Sequence, residues 1–420
     1  MTARSIYTAQ RVANETLSGW LPDHAVIVES GKITAVIPAA KLPTDHSETH
    51  DFHDLGDVSL LPGLVDAHSH MHCSATPDAY DLVTTETDQQ LTIRAIDNMR
   101  RCLMAGTTTV RDIGSKNEVA FAVKKAIEDG VAPGPRLVVS GTPITITAGH
   151  CWFFGTEVDT KDAVVAAVRR QVKLGAGVIK MMATGGMFTP TANPRRVQFD
   201  VETLAAAVAE AERMNVQIVA HTLSADGVRN CVDARIHHLI HARWHHSDFS
   251  KGLDYDPEVV TRMAAQGQWV DPTLGHILLA EEATKSGVAP RGKPHWAVTA
   301  TAVPLADHIE TLAKMSDAGV RFTAGLDMGM AHGTHDRSAA NAWAYHEWLG
   351  WDAWRAIRAS TVDTAEAIRM GQLVGRIRPG LTADLAAFSG DPASNIRDLD
   401  RADSVVKDGR PVKVKGRSLI

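Results

Sequence analysis

Cysteine is scarce in this chain of 420 residues. Cys73, Cys102, Cys151 and Cys231 are scattered, with no Cys-x-x-Cys pair, so a disulfide scaffold is not expected and the thiols read as reduced, in a cytoplasmic protein. No apolar stretch reaches membrane-spanning length. The N-terminus, MTARSIYTAQRV, lacks the charged-then-apolar pattern of a signal peptide. There is no long run of one charge sign. With 43 Lys and Arg against 49 Asp and Glu, the net charge is −6, which argues against a nucleic-acid partner and against a basic membrane-binding surface. Solenoid-type repeats and low-complexity linkers are also absent.

The composition that remains is that of an ordinary soluble enzyme, 44% apolar and 22% charged. A chain this long can bury a large core and suits a large barrel plus something smaller. Short β-type apolar runs at 63–67, 107–111, 136–140, 178–182, 216–220, 237–240, 268–271 and 320–326 alternate with segments of helical periodicity, such as 92–104, 118–128, 163–174 and 201–214. Eight strand–helix units predict a (β/α)₈ TIM barrel over 57–375. A doubly wound sheet is the alternative; a site assembled from many strand ends favours the barrel. The two ends read as strands at 25–29, 32–36, 383–388, 404–407 and 411–415, with turns at Ser30-Gly31 and Asp408-Gly409. They predict a small β-sandwich domain built from 1–56 and 376–420.

Histidine is abundant, with 20 in the chain. In LVDAHSHMH (64–72), His68 and His70 are one residue apart at a strand end, so both face the same side. Two imidazoles converging there make half of a metal site. Active sites of barrels lie at the C-terminal ends of strands. The other strand ends offer Lys180 within GVIKMM, His221 after VQIVA, His241 after HHLI and Asp327 after RFTAGL. A lysine inside a buried strand is costly unless its charge is removed or paired. Reaction with carbon dioxide would turn Lys180 into a carbamate, an anionic ligand able to bridge two divalent ions. Two such ions activate a bridging hydroxide and polarise a carbonyl, and Asp327 can carry the proton to the leaving nitrogen.

The segments PGLVDAHSH (62–70), IKMMATGGM (179–187), VAHT (219–222), LIHA (239–242) and AGLD (324–327), in this order, resemble the amidohydrolase superfamily. The tail GRIRPGLTADLAAFSGDP (375–392) with VVKDGRPV (405–412) is similar to its C-terminal β-domain. The resemblance implies two divalent metal ions, usually zinc. His68, His70 and Asp327 would hold one, His221 and His241 the other, with carboxylated Lys180 between them. It also implies a homo-oligomer acting on a small-molecule substrate. PITITAGHCWFFG (143–155) and GGMFTPTANPRRVQF (185–199) resemble the prolidase-like and imidazolonepropionase-like branch. There His150 would hydrogen-bond the scissile carbonyl or the group opposite the metals. The branch's peptidases often carry a tyrosine two residues after the strand-five histidine to hold a substrate carboxylate; here Leu223 stands there. Ile240-His241-Ala242 and Met328 also depart from the pattern, which leaves the metals intact and touches dipeptide specificity.

The remaining candidates are weighed by position. Trp152, Arg229 and His332 are expected to contact substrate. His245, His246 and His335 are expected near the pocket, and Arg195 and Arg196 are further carboxylate candidates. His72 is expected to pack behind the site, and His237 and His238 to face the barrel bottom or the helices. The reaction expected is amide hydrolysis of a dipeptide or N-acyl amino acid. A cyclic amide such as an imidazolone, or a lactone, is the alternative on the same site. A non-catalytic assembly protein is the reading the full ligand set opposes.

Overall fold

The computed structural model describes residues 4–42, 51–287 and 303–420. The first and last parts of the chain form one nine-stranded sheet. Its strands are β1 (Arg4–Ala13), β2 (Trp20–Glu29), β3 (Lys32–Pro38), β4 (Asp51–Asp54) and β5 (Val58–Pro62), then β16 to β19 (Leu385–Ser389, Ala402–Lys407, Arg410–Val414 and Arg417–Ser418). A sandwich of two sheets was expected. The two halves instead fuse, because β5 pairs with β1 on one side and with β16, antiparallel, on the other. The fused sheet curls on itself: Lys32 bridges Thr382, and the Tyr7 hydroxyl donates to Gly409 O at 3.0 Å. Both expected hairpin turns form. Ser30-Gly31 and Asp408-Gly409 are left-handed at each position (φ 51° and 80°, 51° and 76°), the twist a two-residue hairpin needs and glycine adopts readily.

Between these ends lies a parallel α/β body. One arc holds β6 (Leu64–Ser69), β7 (Thr107–Asp112) and β8 (Arg136–Val139). The other holds β9 (Ile144–Thr145), β10 (Thr156–Glu157), β11 (Val178–Met182), β12 (Gln217–His221), β13 (His238–Ile240), β14 (Trp269–Asp271) and β15 (Arg321–Phe322). Each of the eight expected strand runs contributes a strand. No closed eight-stranded ladder is present among the described residues. Single backbone bonds cross the two gaps instead: Gly177 N to Val139 O (3.0 Å) on one side, and Ala67 N to Ala324 O (2.8 Å) and His70 N to Met328 O (2.7 Å) on the other. The run expected at 320–326 pairs as a strand only over Arg321–Phe322. Beyond it the chain is pinned by buried Asp66, which accepts from Leu326 N, the Ser338 hydroxyl and the Asn341 amide.

The helices cover the outside. Lys161–Leu174 buries Val164, Ala167, Val168 and Gln171, one stripe at helical spacing. Thr160, Asp200, Ser224 and Asp256 cap helices by accepting backbone N–H bonds, satisfying donors that a helix start leaves open. Of these caps only Ser224 stands close behind a strand end, three residues past His221, the last residue of β12. No helix among the described residues is long and apolar enough to cross a membrane.

Candidate metal centre

The strand ends bring His68, His70, His221, His241, His150, Lys180 and Asp327 to one cavity of about 460 Å³. The imidazoles form a continuous arc. Ring centroids are 4.6 Å apart for His150–His221, 4.7 Å for His221–His241, 5.4 Å for His241–His68 and 5.3 Å for His68–His70. Donor atoms of His68, His241 and Asp327 lie within 4.8 Å of one another. Asp327 Oδ1 is 3.1 Å from His68 Nε2 and 3.3 Å from His70 Nε2.

One nitrogen of each imidazole is held from behind. His68 Nδ1 meets Asp271 Oδ2 at 2.7 Å, His70 Nδ1 the Gly114 carbonyl at 2.7 Å, and His241 Nδ1 the Thr273 hydroxyl at 3.0 Å. His221 uses Nε2, on the Gly185 carbonyl at 3.0 Å. The second nitrogen of each ring therefore stays available as a lone-pair donor, the arrangement by which outer hydrogen bonds fix metal-binding histidines. Asp327 and His241 are themselves held in left-handed backbone conformations, φ 58° and 65°. Non-glycine residues reach that region only when their surroundings over-determine it.

The electrostatics agree with this donor set. Burial and the neighbouring histidine and lysine charges hold His221 well below the usual imidazole range; burial, with His68 and Lys180, does the same for His241. Both rings are neutral ligands at ordinary pH. Burial opposes a charge on His68, yet the carboxylates of Asp327 and Asp271 raise it. Burial also opposes ionisation of Asp327, and His68 with His70 hold its carboxyl well below the carboxylate range. Lys180, 1% exposed, is brought down to about 8 by burial, partly offset by Asp327. Neutral imidazoles and an ionised carboxylate around a shared centre fit a divalent ion of the zinc type.

His150 comes from the segment between β9 and β10. Its Nδ1 lies 3.1 Å from the Thr189 hydroxyl, which already accepts from Cys151 N at 2.8 Å. Burial, then Lys180, pushes its pKa down to about 3. The ring lies flat against Gly186: a Cβ there would stand 2.2 Å from Nε2, so only glycine fits.

Three residues expected to contact substrate do not line this cavity. Trp152, 40% exposed, sits on a short turn (Trp152–Phe154) entered through a left-handed Cys151, which turns Phe154 inward and Trp152 outward. Arg229 is bound by Asp226, Asp254 and Asp256. His332 stays outside although Met330 and Ala331 line the wall. Arg195 is taken up by the carbonyls of His246, Asp248 and Lys251. His72 packs on Phe154 at 4.9 Å. His238 is buried between the Arg111 guanidinium (2.8 Å) and the Thr323 hydroxyl (3.0 Å).

Sequence reading missed Asp271, Thr189, Gly186 and Arg243. Asp271 ends an expected strand at the height of the ligands, a signal that could have found it. Much of the wall around these side chains is apolar, with Phe154, Met182, Met187, Phe188, Leu223 and Ile277.

Comparison with known proteins adds a lineage to this geometry. Ochratoxinase from Aspergillus niger is 28% identical over 406 residues, covering 89% of this chain and 79% of that protein. The solved structure of a Xaa-Pro dipeptidase with methionine in its active site aligns with a TM-score of 0.85 at 25% identity, covering 98% of this chain and all of that one. A prolidase bound to N-methylphosphonate-L-proline aligns at 0.83, also with 25% identity and over 98% and 100% of the two chains. The sequence pattern of the Amidohydrolase family, a generally metal-dependent group, matches residues 59–412. This chain belongs to the amidohydrolase family and is a hydrolase acting on amide carbon–nitrogen bonds.

Proposed function

We propose that this chain is a cytoplasmic, binuclear metal-dependent enzyme that hydrolyses the amide bond of a dipeptide or an N-acyl amino acid, on a barrel of the TIM type formed by its two parallel arcs. The observation that carries the reading is the arc of imidazoles with Asp327 and Lys180 on one cavity floor. The likeness to a Xaa-Pro dipeptidase supports the substrate class, and four unpaired buried cysteines support the compartment.

His68, His70 and Asp327 would hold one ion and His221 and His241 the other, with Lys180 between them. Bound there, two divalent ions, zinc by their ligand set, supply Lewis acidity at the carbonyl and an ionisable water near neutral pH. A Lys180 amine brought down to about 8 keeps an uncharged fraction near pH 7. Its lone pair can add to carbon dioxide, forming a nitrogen–carbon bond and releasing a proton, and the side chain becomes an anionic carbamate. Asp327 stays ionised to low pH. It accepts the proton of the attacking water and returns it to the leaving nitrogen. The Thr189 hydroxyl hydrogen, free for His150 Nδ1, leaves the proton on Nε2, where the substrate's carbonyl oxygen would replace the weakly accepting Cys151 sulfur (3.6 Å) as negative charge builds there.

The test is hydrolysis of a mixed library of dipeptides and N-acyl amino acids by zinc-loaded protein, read by mass spectrometry, with Asp327→Asn as control. Cleavage by the parent and none by the variant is expected. No cleavage by fully metallated protein would overturn the reading and move the search to cyclic amides and lactones.

A further inference from the structure

Arg243 stands two residues past His241 and lines the same cavity. Its backbone N–H donates to the Thr222 carbonyl at 3.2 Å, which sets it beside Leu223, a wall residue with no polar atom to offer a ligand. Other arginines of this region are occupied: Arg229 by carboxylates and Arg195 by carbonyls. Among the described residues, no carboxylate, carbonyl or hydroxyl accepts a hydrogen bond from the Arg243 guanidinium. Asp271, the carboxylate whose charge reaches it, is already committed to His68 Nδ1 and to Thr273 N. Near Arg243, the rings of His245 and His308 meet edge to face at 4.9 Å. Burial and the Arg243 charge keep them uncharged at ordinary pH, with values near 3 and 2.

Arg243 is half-buried, and a cation that loses part of its water without gaining a counter-charge favours a bound anion. A guanidinium keeps its charge at every physiological pH. It is a planar fork of donors on a cavity whose apolar walls are Phe154, Phe188, Met182, Ile277 and Met330 and whose floor carries the histidines, Lys180 and Asp327. Such a fork matches a carboxylate bidentately.

We propose that Arg243 binds the free carboxylate of the substrate's amino-acid half, so that the cavity selects N-acyl amino acids with an apolar body over their amides. The proposal rests on the amide-hydrolase reading of this site, in whose substrates the amino-acid half is the part that always carries a carboxylate. It makes Arg243 a binding and specificity residue.

The experiment has two arms. In the first, non-hydrolysable N-benzyl-phenylalanine and N-benzyl-phenylalaninamide are titrated calorimetrically into metal-free and zinc-loaded protein. The acid is expected to bind about 10- to 100-fold more tightly than the amide, as a charge-assisted bidentate contact gives. Arg243→Met is expected to erase the difference and Arg243→Lys to retain part of it, with melting temperatures confirming the fold. Equal binding of acid and amide to the parent overturns the proposal without reference to any variant. A preference that survives in Arg243→Met also overturns it. In the second arm the hydrolysable N-benzoyl acid and amide are compared by kcat/KM. Equal cleavage of both refutes carboxylate selection and leaves amide hydrolysis standing. Cleavage of neither, with the binding preference intact, refutes amide hydrolysis and leaves the Arg243 subsite standing.

Discussion

Asp271 is the side chain whose replacement is most informative. Its Oδ1 accepts from Thr273 N at 2.9 Å and its Oδ2 from His68 Nδ1 at 2.7 Å. In Asp271→Asn, the amide oxygen that stays on Thr273 N turns the NH₂ group toward His68. The imidazole must then accept at Nδ1 and carry its proton on Nε2, the nitrogen 3.1 Å from Asp327 that should bind metal. The flipped amide restores His68 but sets NH₂ against the Thr273 N–H, at about 1–3 kcal/mol for the unsatisfied donors. Both orientations lose, so the isosteric change should weaken metal binding by about 10- to 100-fold, or about 1.4–2.8 kcal/mol. Competition with a chromophoric chelator measures the affinity, and kcat/KM should fall in parallel at limiting zinc. An affinity within about 2-fold of the parent would refute the tautomer argument, since removing an outer partner of a metal histidine normally costs at least 10-fold.

Three further outcomes follow from the same geometry. Gly186→Ala should displace the His150 ring, because the new Cβ would stand 2.2 Å from Nε2; kcat should drop by roughly 100-fold, as for loss of one oxyanion donor, at unchanged zinc content by elemental analysis, and unchanged kcat would remove His150 from the reaction. Protein prepared in carbon-dioxide-free buffer should gain activity and bound metal when bicarbonate is added, while Lys180→Met should not respond; a parent enzyme indifferent to bicarbonate would exclude the carbamate. Metal-free protein should lose stability as pH falls below about 6.5. His150, His308 and His335 are buried and His245 is half-buried, with folded values near 3, 2, 4 and 3, so the unfolded chain takes up protons there that the folded chain refuses. Each fully buried ring can contribute at most about 1.4 kcal/mol per pH unit, so a melting temperature unchanged from pH 7 to 5 would contradict this.

The convergence of the candidate ligands was legible because strand periodicity reports direction. His68 and His70 share a face by alternation, and the other candidates end their own strands, so placing the strands brought these side chains to one cavity. Residues that act through a partner distant in sequence were not legible. Asp271 matters only because β14 ends level with His68, and Thr189 only because its loop folds over His150. Trp152 and Arg229 show the converse. The left-handed Cys151 inverts which aromatic ring faces inward, and Arg229 meets Asp254 and Asp256 across a loop whose path the sequence does not declare. The expected strand at 320–326 was apolar enough to pair throughout. After Phe322 its backbone leaves the ladder, and with it the left-handed turn that presents Asp327. The sandwich expectation failed for a related reason: alternation reveals which face of a strand is buried but not which strand lies at its edge.

That fused terminal sheet sets the order in which the molecule can be finished. The open edge of β5 waits for β16, so everything from 63 to 384 must leave the ribosome before the edge is covered. Unpaired strand edges recruit other chains, and a nascent copy carries one throughout most of its synthesis. A chain halted after Asp384 would keep His68, His70, Lys180, His221, His241 and Asp327 and still be expected to aggregate in light scattering, because its last missing part is the closure of that edge.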